Sequence, residues 1–410
     1  VNDGTGAGAP AEGGTMNDRL ARVTLMRLAE PDDAVMGRLV AACGPEAAVA
    51  QVREGRLDPG IVRWFESVRH RSAAGPGETA ERLGRILAAW RARLAEADPV
   101  RDLAEGERAG ARLIVPGDSE WPTQLDDLGE SRPYALWLRG EANLRFSCVR
   151  SVAIVGSRAA TPYGTHVAAE FGAGLSERGH GVVSGGAYGV DGAAHRGALA
   201  CDAPTVAVLA CGADITYPSA HHDLFAAVRG QGLLVSECPM GVRPTRPRFL
   251  VRNRLIAALA RGTVVVEAAV RSGALNTAGH AAALNRLLAA VPGPVTSDTS
   301  AGCHRLIRQG MAACVTTPAE MAELVGVIGD ELAPEPRGPV VPRDLLGPQT
   351  RRVLEAVPAR TGTGPATIAV AAGVDIETVL SCLGALAAAG YVERVPRGWR
   401  LRPGGSADRT

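Results

Sequence analysis

Between Val152 and Gly293, short apolar runs break repeatedly into glycine or a charged residue. Val152-Ala153-Ile154-Val155 ends in Gly156-Ser157-Arg158, and Gly181-Val182-Val183-Ser184 ends in Gly185-Gly186-Ala187-Tyr188-Gly189-Val190-Asp191. Val206 to Ala210 ends in Cys211-Gly212, Leu233-Leu234-Val235 in Ser236-Glu237, Thr263 to Val266 in Glu267, and Leu287 to Val291 in Pro292-Gly293. Longer Ala-rich stretches with helical spacing separate these runs. Strand-like runs alternating with helices predict an α/β fold with a parallel, doubly wound sheet. Ligands of such sheets bind outside the carboxyl ends of the strands, where this chain places Gly, Ser, Arg, Glu and Asp.

The flanks read differently. From Asn17 to about Arg101 the apolar positions keep helical spacing (Leu20, Val23, Leu25, Leu28; then Val35, Leu39, Val40), with turns at Gly44-Pro45 and Asp58-Pro59-Gly60. Such a helical domain binds nucleic acid or partners, or only packs. Ala111 to Val115 and Ala135 to Leu138 are strand candidates that add to the central sheet, and Ala301 to Ile307 opens as a helix. Pro334, Pro336, Pro339 and Pro342 then impose a linker. Beyond it, helices are expected over Thr350 to Ala356, Pro365 to Ala372 and Ile376 to Ala389, the last capped by Asp375. A hairpin follows, Tyr391 to Val395 and Trp399 to Leu401. Three helices and a hairpin make a winged-helix pattern. Its third helix starts with Asp375, Glu377 and Thr378 and carries no arginine, so a protein partner suits it better than base reading. The expected divisions are a disordered tail 1–15, a helical domain 16–109, a sheet core 110–330, a linker 331–347 and a winged helix 348–403.

Composition adds limits. Forty-four basic residues against 43 acidic leave a formal net charge of +1, so any nucleic-acid surface must be local. All the basic residues are arginines, so any phosphate contact from a basic side chain is made by a guanidinium fork. Eight scattered cysteines form no C-x-x-C pair, which excludes a zinc ribbon and suits a reducing, cytoplasmic compartment. No apolar run approaches the roughly 18 residues of a membrane span. Residues 1 to 15 lack the basic start and apolar core of a signal peptide, and Val1 reads as an alternative start codon with Met16 as a second candidate.

Candidate chemistry sits at the strand ends. Gly156-Ser157-Arg158 lets backbone N–H groups approach an anion at a helix start. The chain there reads G-S-R-A-A-T, not G-x-G-x-x-G, and no G-x-x-x-x-G-K-[ST] loop occurs, so neither a dinucleotide nor an ATP loop is indicated. In the second glycine turn Asp191 suits a helix cap better than catalysis, and His195 suits a packed histidine. Five arginines lie within twelve residues from Arg243 to Arg254, with Phe249 among them and no acid. Beside two glycine-rich strand ends this run makes an anion-binding rim. Arginines with an interleaved aromatic suit single-stranded nucleic acid, the phosphates taking the charge and a base stacking on the ring. Glu267 is a candidate general base or a brace for the arginine run. The dispersed histidines propose no metal site.

These motifs together resemble the DNA-processing protein A (DprA/Smf) family of bacteria. The resemblance rests on Gly156-Ser157-Arg158 with Tyr163-Gly164; Ser184 to Asp191 with Ala194-His195; Tyr217-Pro218; Ser236-Glu237; Phe249 with Arg252-Asn253-Arg254; Glu267 with Ser272-Gly273 and Thr277-Ala278; and Pro292-Gly293. It covers about Ser151 to Met311, and Trp121-Pro122 and the terminal winged helix also match the layout. Leu250, Asn285 and His304 depart from the family pattern, and Arg246 stands where some relatives carry a lysine. The resemblance implies an extended Rossmann-like core, an N-terminal helical domain of the SAM or helix-hairpin-helix kind, and a winged-helix tail. It implies a non-enzymatic protein without cofactor or metal that binds single-stranded DNA, forms a homodimer and loads the RecA recombinase in natural transformation or recombination. The expected DNA-binding residues are Gly156, Ser157, Arg158, Gly164, Ser184, Gly185, Gly186, Arg243, Arg246, Phe249, Arg252, Asn253 and Arg254. The alternative is a nucleotide phosphoribohydrolase on a related core, with Glu267 as acid/base. Against it, the P-G-G-x-G-T-x-x-E string that marks that family is absent.

Overall fold

The computed structural model describes residues 14–70, 76–327, 329, 331–334 and 342–403. Most of the expected tail (1–13) and the centre of the proline-rich linker (335–341) lie outside the described residues. The chain divides after Ala333 into two units.

The first unit opens with five helices, α1 (Met16–Leu28), α2 (Ala34–Glu54), α3 (Pro59–His70), α4 (Pro76–Glu96) and α5 (Pro99–Arg108). The expected turn at Gly44-Pro45 is a kink inside α2, where Gly44 takes φ 79° and ψ 168°. Leu25, Leu28, Met36, Leu39, Val52, Phe65 and Trp90 form the helices' own core. α1 also packs on the sheet. Val23 and Met26 share a cluster with Ala111, Trp137 and Met240, and Arg27 forks Asp102 at 2.9 and 2.6 Å.

Nine strands follow: β1 (Arg112–Ile114), β2 (Leu136–Arg139), β3 (Ser151–Val155), β4 (Gly181–Ser184), β5 (Thr205–Leu209), β6 (Leu233–Ser236), β7 (Gly262–Val265), β8 (Leu287–Ala290) and β9 (Ala313–Cys314). They form one sheet in the order β1-β2-β6-β5-β4-β3-β7-β8-β9. The stretch from β6 to β9 is parallel, as expected for the core. β1 and β2 add to it as anticipated, but β2 runs antiparallel to β6 and β1 antiparallel to β2, so the sheet is mixed. The 3₁₀ segment Thr123–Ser131 that links them is no crossover helix, and a parallel pair needs a crossover. β9 went unnoticed in the sequence because two exposed residues carry no periodicity.

Between and after the strands run α6 (Leu144–Val149), α7 (Pro162–Ser176), α8 (Val190–Ala200), α9 (His222–Gln231), α10 (Arg246–Leu259), α11 (Ala274–Ala283), α12 (Ala301–Arg308) and α13 (Pro318–Val325). The period of two along β3 sorts its side chains. Val152 and Ile154 pack under α7, α8 and α13, whereas Ala153 and Val155 face α10, α11 and α12. Helices on both faces make the extended Rossmann-like core.

The second unit contains α14 (Pro348–Ala356), α15 (Pro365–Ala372), α16 (Ile376–Ala388) and the hairpin β10 (Val392–Val395) with β11 (Gly398–Leu401). Val353, Ile368, Val379, Leu383, Leu386 and Val392 form its core. Asp375 caps α16 by accepting from the Thr378 amide at 2.8 Å, as the sequence predicted. No single described helix is long and apolar enough to cross a membrane.

Two bare positions let α7 and α8 touch along their backbones. A Cβ on Gly172 would collide with the Ala194 carbonyl, and one on Gly197 with the Ala169 carbonyl. Gly197→Val is therefore expected to destabilise the first unit by about 1–3 kcal/mol through overpacking. A lowered urea midpoint with an unchanged m-value checks it.

Candidate nucleic-acid interface

The strand order reverses beside β3: the chain runs from β3 to β4 and on to β6 on one side, then returns to β7 on the other. Side-by-side β3 and β7 thus define the switch point at which open α/β sheets bind ligands. A cleft of about 910 Å³ lies there. Its walls are Gly156 to Ala159 after β3, Tyr217 after β5, the first turns of α10, and Ala269 to Asn276 after β7.

Seven of the expected residues meet in this cleft: Gly156, Ser157, Arg158, Arg246, Phe249, Arg252 and Asn253. Arg158 is exposed and lays its guanidinium 4.5 Å from the centre of the Phe249 ring, a cation–π contact. Tyr217 stands on Phe249 at 5.6 Å with the rings tilted by 47°. Arg246 is exposed in the first turn of α10. Thr245 makes no side-chain cap there, so the positive end of the helix faces the cleft without an internal anion. Asn253 donates from Nδ2 to Asn276 Oδ1 (3.1 Å) and to the Gly273 carbonyl (3.4 Å), tying α10 to α11.

The arginine run is not a uniform rim. From Arg246 onward it is helical, and 100° per residue spreads its arginines around the axis. Arg246, Phe249, Leu250 and Asn253 turn to the cleft. Arg254 turns away and is buried. It forks Glu237 with two bonds of 2.7 Å and donates from Nε to the Ser131 carbonyl at 3.0 Å. Arg248 forks Glu30 of the helical segment at 2.9 and 2.8 Å and donates to the carbonyl of Arg243 at 2.8 Å. Arg243 is exposed in the loop before α10, outside the cleft lining. Arg252 reaches the cleft floor but is itself only 4% exposed, donating to the carbonyls of Gly185 (2.9 Å) and Val208. Burial pulls its pKa down to about 10, against the pull of the Asp191 carboxylate. Arg252 is thus a charge held behind the wall, and Arg254 a structural ion pair.

The remaining expected residues sit behind the cleft. Ser184, Gly185 and Gly186 are buried. The Ser184 hydroxyl donates to the Ile154 carbonyl at 2.6 Å, and a Cβ on Gly185 would strike the Arg252 guanidinium. Asp191 does not cap α8, whose N-cap is Gly189. Its carboxylate instead accepts from the amides of Gly185 (3.2 Å) and Ala187 (3.4 Å), fastening the glycine turn. His195 is a packed histidine. Its Nδ1 lies 2.8 Å from Thr205 Oγ1, and burial pulls its pKa down to about 3, so it is neutral.

Glu267 overturns both roles weighed for it. Its carboxylate is buried at the N-terminus of α7, accepting from the Thr161 amide (2.9 Å), the Thr161 hydroxyl (2.7 Å) and the Thr299 hydroxyl (3.1 Å). Among the described residues it meets none of the run's arginines, and it does not line the cleft. A helix start after the first core strand is where a Rossmann-type fold usually places a phosphate. Here an internal carboxylate fills it. Gly164 is bare for the same reason, because its Cβ would occupy the position of that carboxylate. Gly164 therefore serves the Glu267 strut and does not line the cleft.

Tyr217, Arg271 and Asn276 also line the cleft and were not among the site candidates read from the sequence. Arg271 is exposed four residues beyond Glu267, a spacing that a strand-end search could have flagged.

Glu237→Ala would remove both bonds that fork buried Arg254 and leave it the more distant Asp32 carboxylate, at 3.9 Å. Such a change is expected to cost about 3–5 kcal/mol of stability, seen as a large drop in melting temperature.

Comparison with known proteins agrees with this geometry. The family model described as DNA recombination-mediator protein A matches residues 112–326. A Mycobacterium tuberculosis protein named as a DNA processing protein, DprA, is 45% identical over 393 residues, 93% of this chain and 94% of its own length. Protein Smf of Escherichia coli is 38% identical over 300 residues, 70% of this chain and 77% of its own. The X-ray structure of DNA processing protein A from Streptococcus pneumoniae superposes with a TM-score of 0.58 at 28% identity, covering 75% of this chain and 97% of that one. The mixed sheet, the switch-point cleft and these matches lead to one assignment: the chain belongs to the DNA recombination-mediator protein A family.

Proposed function

We propose that this protein binds single-stranded DNA in the switch-point cleft and, without catalysing a reaction itself, passes the strand to a RecA-type recombinase. The observation that carries this reading is the pairing of exposed arginines with aromatic rings at one opening. Arg158, Arg246 and Arg271 are exposed there, and among the described residues none of them is in an ion pair. Phe249 and Tyr217 stand between them. Guanidinium groups take phosphates and rings take unpaired bases, a combination that a stacked duplex cannot use fully. Membership in a recombination-mediator family supports the same reading. The hydrolase alternative loses its acid/base, because Glu267 is committed to Thr161 and Thr299.

The finer parts of the proposal are a cytoplasmic homodimer, RecA as recipient of the strand, and a winged helix in the second unit that takes a protein partner. The acidic start of α16, Asp375 and Glu377, favours a protein over DNA for that unit. In this proposal the helical segment 16–109, the sheet core 110–330 and the winged helix 348–403 are the working divisions of the chain.

Fluorescence anisotropy of labelled oligonucleotides across a salt series tests the central claim. Single-stranded DNA is expected to bind far better than duplex, with a steep loss of affinity as salt rises. Equal binding of both forms, or none at low salt, would sink it. Arg158→Ala, Arg246→Ala and Arg271→Ala should each lower the log–log salt slope by about 0.7, the loss of one phosphate contact on a single strand, with melting temperature unchanged. Arg252→Ala should instead lower the melting temperature, because its guanidinium holds the Gly185 and Val208 carbonyls. For the recipient, RecA ATP hydrolysis on a strand pre-coated with single-strand-binding protein should start sooner when the protein is added. No acceleration would remove RecA from the proposal.

A further inference from the structure

Phe249 offers less ring face than its place in the arginine run suggests. The Arg158 guanidinium covers one face at 4.5 Å, and Tyr217 rests on the ring at 5.6 Å. Tyr217, by contrast, is 46% exposed at the edge of the cleft. A second tyrosine stands on the neighbouring loop. Tyr188, after β4, is 48% exposed and meets His221 edge-on at 5.1 Å. His221 is buried and fixed from two sides. Its Nδ1 donates to the Gly186 carbonyl at 3.0 Å, and its ring packs edge-on against Phe225 at 6.2 Å. Each exposed ring is therefore backed by a buried or half-buried one, which fixes its direction before any ligand arrives.

The two platforms are linked through a short stretch of chain. Tyr217 and His221 are four residues apart, so their Cα atoms are at most roughly 14 Å apart, within reach of nearby nucleotides of one strand. Both tyrosines sit in the segments that follow adjacent parallel strands, Tyr188 after β4 and Tyr217 after β5. Half-exposed aromatic rings beside guanidinium groups match unpaired nucleobases on a phosphate backbone, because every base has a π-face.

We infer that Tyr217 and Tyr188 form an aromatic track that carries the strand out of the cleft, each offering a ring face to one unpaired base. Phe249 is a positioning residue in this arrangement, orienting Arg158 on one side and Tyr217 on the other. This inference rests on the cleft being a single-strand site.

The test compares two labelled strands of equal length on the full chain, a thymidine oligonucleotide and its abasic deoxyribose-phosphate counterpart. Tyr217→Ala and Tyr188→Ala should each weaken binding of the thymidine strand by about 5- to 150-fold and leave the abasic strand unaffected. Tyr217→Phe and Tyr188→Phe should behave as the unsubstituted protein, since the ring and not the hydroxyl is used. Alanine variants that bind the thymidine strand normally, or lose both strands equally, overturn the track. If the unsubstituted protein binds both strands equally with a steep salt slope, the cationic cleft stands and the track falls. If it binds neither, the single-strand reading fails and the track with it.

Discussion

A carboxylate sits where a phosphate would be expected. Glu267, at the end of β7, inserts into the N-terminus of α7 and ties the loop after β3 to the turn that holds Thr299. The helix dipole and the Thr161 amide are satisfied within the protein. The open helix start at the cleft is instead that of α10, where Thr245 makes no side-chain cap. The fold keeps the Rossmann-like crevice, with exposed Arg158, Arg246 and Arg271 around it.

Those arginines are supported from behind. Arg252 lies under the glycine turn and holds its Gly185 carbonyl together with the Val208 carbonyl of β5, while Asp191 holds the same turn by its amides. Gly185 is bare because a guanidinium passes beside it. Arg254 locks α10 to Glu237, and Arg248 locks it to Glu30 of the helical segment. α10 is thus pinned on two sides, and its free side presents Arg246 and Phe249 to the cleft. The helical segment is part of this support: α1 shares a core with Trp137, and Glu30 grips the helix that forms the cleft wall.

The sequence by itself determined the α/β alternation, the six inner strands of the sheet, the helical flank and the cap on α16. All of these follow from local patterning, apolar runs of period two or of helical spacing closed by glycine or a capping acid. It also placed the chemistry at the strand ends, since glycine and arginine cluster there. What it could not resolve was which arginine faces outward. Arg243 to Arg254 is one charged run in the chain, yet in space it divides into exposed Arg243 and Arg246, surface-paired Arg248 and buried Arg252 and Arg254. That division depends on the rotation of α10 and on carboxylates far away in the chain, Glu30 among them. The roles of Glu267 and Asp191 were hidden for the same reason. A carboxylate at a strand end reads alike whether it faces solvent, a substrate or a helix start. Only the packing of α7 against the end of β7 brings Thr161 to Glu267, across 106 residues of chain. Tertiary structure decided each of these because burial and partner distance are properties of the assembled fold, and no local pattern encodes them.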